Sequence, residues 1–100
     1  MVVLQVSYRV RAHHMKAFET IFRDEIIPLV EDHGLKLRAF FRTLVGPMGE
    51  YTELWDFESV AQFETQWHQV MQDSRLVGIF ERTGPMVEDE QLRLLEPVES

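Results

Sequence analysis

Tyr8, Glu53 and Trp55 are the first candidates for chemistry, because they fall at alternating positions of two extended segments. If those segments run side by side with the three on one face, a phenol, a carboxylate and an indole surround a single space. A carboxylate withdrawn from water favours its neutral form, so its pKa rises toward working pH and it becomes a general base. The competing arrangement pairs Glu53 with Arg38 or Arg42 across strands and leaves Tyr8 and Trp55 as ordinary core. His68 follows Trp67, about 100° round a helix from the apolar stripe. From that edge an imidazole either shuttles protons at a cavity mouth or sits half in solvent. Tyr51, Phe41 and Trp67 offer ring surface to a ligand. Arg75 and Arg82 suit an anionic group, although a lone exposed arginine usually makes only a weak ion pair.

Other chemistries lack their residues. The sequence has no cysteine, which removes disulfides and thiolate nucleophiles. His13 and His14 are adjacent, so their rings point apart, and no His-x-x-x-His or Glu-x-x-His spacing joins them; no metal site is expected. Axial haem ligation by His68 or His14 stays open, because one ligand needs no motif, but no cofactor is called for. Gly46 and Gly49 belong to a turn without the lysine and following helix of a phosphate loop. No Gly-x-Ser-x-Gly elbow occurs.

The positioning elements follow from periodicity. Val2 to Arg11 alternates, with Val2, Leu4, Val6, Tyr8 and Val10 on one face, as a strand does. Met15, Phe18, Phe22, Ile26 and Leu29 then recur at three and four, predicting a helix from about His14 to Asp32. Pro28 removes a donor and crowds the carbonyl of Asp24, so a bend is expected there. Gly34 is the expected stop. Leu35 to Val45 and Glu50 to Phe57 read as antiparallel strands joined through Gly46–Gly49. Ser59 caps a helix bearing Val60, Phe63, Trp67, Val70 and Met71, with Gln62 at the capping-box position. A shorter helix runs from Asp73 or Ser74 through Phe80. Met86 to Glu96 is the last strand, before a polar tail. Glu88, Asp89 and Glu90 read as a solvated strand start.

Seventeen acidic residues against ten basic ones give a net charge of −7. That balance disfavours nucleic acid and anionic membrane surfaces as partners. No apolar run approaches the ~18 residues of a membrane span, and the N-terminus lacks the form of a signal peptide. One domain over residues 1–100 in the cytoplasm is expected.

The order strand, helix, strand, strand, helix, strand is an α+β, ferredoxin-like β-α-β-β-α-β arrangement: a four-stranded antiparallel sheet with helices on one face. The other face is expected to carry Phe40, Leu44, Leu54 and Leu95, more apolar surface than water tolerates. A homodimer meeting through its sheets would cover it.

Several strings at matching order and spacing carry a family resemblance. They are Pro28-Leu29, Val45-Gly46-Pro47, Leu54-Trp55 followed by Phe57-Glu58-Ser59, Thr83 with Pro85, and Arg93-Leu94-Leu95-Glu96-Pro97. With them the chain resembles NIPSNAP domains of the dimeric α+β-barrel superfamily over nearly its whole length. The resemblance implies a homodimer with a ligand-sized cavity between each sheet and its helices. It implies no single reaction, since the superfamily holds cofactor-independent monooxygenases, isomerases, cyclases and haem enzymes. Typical members start with Glu-Leu-Arg-x-Tyr, where this chain has Leu4-Gln5-Val6-Ser7-Tyr8 and keeps only the tyrosine. The histidine often found two before the tryptophan is Glu53 here. Two functions stand on this footing. One is a cofactor-independent enzyme holding a small apolar molecule, with Glu53, Tyr8 and His68 acting and Trp55, Tyr51, Phe41, Trp67 and Arg75 in contact. The other is a binding module without turnover.

Overall fold

The computed structural model describes residues 1–98, so the last two residues of the polar tail lie outside the described residues. Strands β1 (Val2–Val10), β2 (Lys36–Arg42), β3 (Glu50–Phe57) and β4 (Val87–Leu95) form one antiparallel sheet in the order β2-β3-β1-β4. This is the ferredoxin-like order, with the chain's two β-α-β units interleaved. The alternation in β1 sets which face is buried: Val2, Leu4, Val6, Tyr8 and Val10 all point toward the helices and are nearly sealed from water. Their partners on β3, Tyr51, Glu53, Trp55 and Phe57, share that face. Burying rings and branched side chains of this size contributes roughly 1.5–3 kcal/mol each, the main favourable term in the fold.

The first helical segment is not a uniform helix with a bend at Pro28. A 3-10 turn (Ala12–His14) leads into α1 (Met15–Ile21), the ladder widens to a π-turn over Phe22–Ile26, and α2 (Ile27–Asp32) resumes with Pro28 in its first turn. The Ile27 N–H therefore bonds the Phe22 carbonyl, five residues back. Proline is tolerated in a first turn, where its missing donor has no intrahelical duty. The extra residue of the π-turn creates that first turn, so the irregularity falls before the proline. Gly34 ends α2 in the left-handed region (φ 85), its N–H bonding the Glu31 carbonyl at 2.8 Å.

Strand β2 stops at Arg42, short of the expected Val45. Thr43 closes the hairpin by donating its N–H to the Glu50 carbonyl (2.9 Å) and its hydroxyl to the Glu50 carboxylate (2.7 Å). Leu44 and Val45 then lie in the loop, almost wholly exposed. A register shift between Leu37 and Ala39 also reverses one expected facing. One extra residue in a ladder turns every later side chain over. Phe40 accordingly faces the helices, stacked on Phe22 at 4.1 Å. The outer face thus carries Val3, Ala39, Phe41, Leu54 and Leu95 rather than Phe40 and Leu44.

Helix α3 (Val60–Met71) begins as expected. The Ser59 hydroxyl accepts from the Gln62 N–H at 3.0 Å, and the Gln62 side chain accepts from the Glu58 N–H at 2.6 Å. Asp73 caps α4 (Ser74–Thr83) by accepting from the Arg75 N–H, and a 3-10 turn (Gly84–Met86) delivers the chain to β4. Among the described residues no helix is long and apolar enough to cross a membrane.

Candidate functional site

The helices do not close completely over the β1–β4 half of the sheet. A cavity of about 490 Å³ remains between sheet and helices, within the roughly 300–1,000 Å³ range of small-molecule sites. Val6 and Tyr8 on β1 and Glu53 and Trp55 on β3 form its floor. Phe18 on α1 and Phe22 and Ile26 in the π-turn form one wall, so the local widening of the helix presents two apolar side chains to the space. Trp67 and Met71 on α3 and Leu76, Phe80 and Thr83 on α4 close the other side.

Glu53 is the chemical centre of this floor. Strand alternation points it inward, opposite Val6 on β1 and Phe40 on β2, and leaves it only 8% exposed. Two neutral donors hold the carboxylate: the Tyr8 hydroxyl donates to Oε2 at 2.5 Å and the Trp55 indole N–H to Oε1 at 2.8 Å. Neither expected arginine reaches it. Arg38 pairs with Asp56 at 2.8 Å, and Arg42 with Glu19 at 2.8 Å. Among the described residues Glu53 has no cationic partner. Burial pushes its pKa up to about 7; the two hydrogen bonds pull the other way, and the charge of Glu90 adds to the rise. Near neutral pH the group is divided between acid and base forms, the condition for taking up a proton and returning it. Burial, then the Glu53 charge, drive the Tyr8 phenol far above its ordinary value. Tyr8 therefore stays protonated and serves as a donor. Its ring is fixed by Phe18, edge-on at 5.4 Å, and by Tyr51, stacked at 6.0 Å.

The mouth of the cavity lies at the start of β4. The β1–β4 register shifts between Ser7 and Arg9, and Asp89 takes a positive φ of 57°. Aspartate tolerates that region better than most side chains. The bulge brings Glu88, Asp89 and Glu90 to the cavity edge. These three acids stay exposed, as expected of a solvated strand start, and they also ring the opening. Nothing in their spacing announces this, because a bulge leaves no period behind. Thr83 is another unforeseen member: a buried polar side chain in the last turn of α4, facing an otherwise apolar wall.

Of the candidate residues, Tyr8, Glu53, Trp55 and Trp67 meet in the cavity wall. His68 lies on the exposed side of α3, turned away from the lining. Arg75 grips Asp73 through Nε (3.2 Å) and Nη2 (2.8 Å), outside the cavity. Phe41 sits on the outer sheet face, 56% exposed. Tyr51 is buried beside Tyr8, but its hydroxyl donates to Glu19, away from the space. Burial and that hydrogen bond push the Tyr51 phenol up to about 12.

The family model described as NIPSNAP matches residues 4–100. No curated protein sequence matches the chain. Among solved structures, protein Atu4242 from Agrobacterium tumefaciens superposes with a TM-score of 0.90 at 21% identity, covering 98% of this chain and 94% of that one. An uncharacterised NIPSNAP domain protein from Burkholderia xenovorans gives 0.90 at 20% identity, with 98% and 95% covered. A candidate antibiotic biosynthesis monooxygenase from Nitrosomonas europaea gives 0.75 at 10% identity over 99% and 100%, a likeness of fold alone.

Proposed function

The chain belongs to the NIPSNAP family, and from that premise we propose that it binds a small, largely apolar molecule between sheet and helices and removes a proton from it with Glu53. The observation that carries this is a carboxylate set in a largely apolar cavity, held by two neutral donors and, among the described residues, by no cation, with a pKa pushed up to about 7. A base is strongest per unit of pKa where water is excluded, since its proton affinity is then not spent on solvation. Proton abstraction from an acidic carbon or phenol is the step shared by oxygenation, isomerisation and cyclisation without a cofactor. Tyr8 and Trp55 hold the carboxylate in place while its charge is lost and regained. The alternative, a binding module without turnover, draws on the position of His68: among the described residues no imidazole lines the cavity to relay the proton onward.

A reactive probe separates the two. Nitrobenzisoxazole is neutral, flat and apolar. When a base takes its ring C–H proton, the C–H electron pair completes a nitrile, the N–O bond breaks and a coloured phenolate leaves. The enzyme reading expects saturable phenolate release that rises with pH through about 7, following Glu53, and falls by roughly 10²-fold or more in Glu53→Gln. Equal rates in the two proteins would leave only the binding module.

The functional unit in this proposal is a homodimer of single-domain chains, meeting through the outer sheet face. Phe41 and Leu95 are 56% and 40% exposed there, beside Val3, Ala39 and Leu54. Light scattering at micromolar concentration is expected to give twice 11.8 kDa, and Phe41→Arg is expected to halve it. A monomer in the unaltered protein would remove the dimer from the proposal.

A further inference from the structure

We infer that the molecule held in this cavity carries a positive charge, as a protonated amine on an apolar body, with the ammonium seated between Glu53 and Glu90. The inference rests on the proposal that the cavity takes an apolar molecule and specifies its head group. Three features have the same sign. Glu53, Glu88, Asp89 and Glu90 all line the space, and among the described residues its lining holds no lysine, arginine or histidine. Glu88 and Asp89 are loosely engaged by Arg11 and Arg9, each at 3.9 Å, whereas Glu90 forms no ion pair among the described residues. Glu90 and Glu53 lie at the same end, on the strands flanking Tyr8. The last turn of α4 also ends here, through Thr83 and Gly84. The carbonyl end of a helix carries partial negative charge. Arg82, the cation that could offset that end, is bonded instead to Glu25. Finally, Trp55 and Trp67 line the cavity, and indole rings attract cations over their faces.

An anionic ligand would meet these groups with repulsion; Tyr8 and Trp55 are already committed to Glu53, which leaves it only neutral donors such as the Thr83 hydroxyl and the Trp67 indole N–H. A neutral ligand would fit the walls but gain no attraction from the exposed Glu90 at the mouth. An ammonium answers both carboxylates, and its charge favours the ionised form of Glu53 that a base requires.

The test uses three probes of similar size, phenylbutylammonium, phenylbutanol and phenylpentanoate. Binding is followed by the emission of the chain's two tryptophans, both of which line the cavity, and checked by calorimetry. The expected order is ammonium tighter than alcohol by roughly tenfold or more, with the carboxylate weakest. Glu90→Gln is expected to erase most of that preference while keeping alcohol binding, so loss of fold cannot be mistaken for loss of selectivity. Binding of the alcohol as tightly as the ammonium, or of the carboxylate more tightly, overturns the charge inference and leaves the apolar cavity standing. Failure of all three to bind overturns the cavity proposal and the inference together.

Discussion

Between pH 4 and pH 8, Glu53 alone is expected to remove roughly 3 kcal/mol of folding stability, and Glu53→Gln is expected to abolish that loss. The carboxyl rises from 4.5 in water to about 7 in the folded chain. Between those values the folded protein holds a proton that the unfolded chain has released. Stability therefore falls as pH rises through this window; the contribution is complete below about 4.5 and gone above about 7. Glu19, Glu25 and Asp73 shift the other way, each lowered chiefly by a hydrogen bond from a neighbouring side chain. Their stabilisation is lost in acid. They are present in both proteins, so the difference between wild type and variant isolates Glu53. Glutamine keeps the size and an acceptor for Tyr8, but it turns an amide donor toward the Trp55 N–H. It should therefore be the less stable protein at pH 4.5, by about 1–2 kcal/mol for the mismatched donor, and the more stable one at pH 8. Urea denaturation across pH at one fixed protein concentration measures both curves. Parallel curves would mean that Glu53 is solvated like a surface carboxylate.

Gly49→Ala is expected to cost on the order of 3 kcal/mol, combining left-handed strain of about 1–2 kcal/mol with a broken hydrogen bond of about 1 kcal/mol. Gly49 has φ 81, and a Cβ there would lie 2.1 Å from the Val10 carbonyl oxygen. The obstacle is backbone, not a movable side-chain tip. Relief requires the turn to lift from the end of β1, which stretches the 2.8 Å bond from the Val10 N–H to the Gly49 carbonyl. Gly78 is the matched control. It lies inside α4 with nothing near its missing Cβ, so Gly78→Ala should stabilise by about 0.5–1 kcal/mol through helix propensity. Chemical denaturation gives both values; a Gly49→Ala protein as stable as the parent would mean that the hairpin is not docked on Val10.

What could be foreseen divides along a physical line. Period-two alternation in β1 and the apolar stripe of α3 are local signals, and so is the Ser59–Gln62 cap; each sits where the residues put it. The same alternation brings Tyr8, Glu53 and Trp55 to one face, and the floor of the cavity was legible for that reason. Single-residue insertions were not. The shift beside Arg38 turns Phe40 inward, the bulge at Asp89 turns an acidic strand start toward the cavity, and the π-turn before Pro28 re-phases the first helix. Each changes facing by one residue without altering composition. Pairing was equally opaque, because alternation does not say which carboxylate an arginine meets: Arg38 bonds Asp56 and Arg42 bonds Glu19 rather than Glu53. His68 shows the remaining difficulty: an edge position on a helix reaches a cavity or solvent according to a rotation that the stripe alone leaves open.

The most direct measurement is a carbon-detected NMR titration of the Glu53 side-chain carboxyl, assigned by its disappearance in Glu53→Gln. A midpoint near 7 that moves down when an ammonium probe is added is the predicted result. A midpoint at the 4.5 of a solvated glutamate would contradict a base held dry between Tyr8 and Trp55.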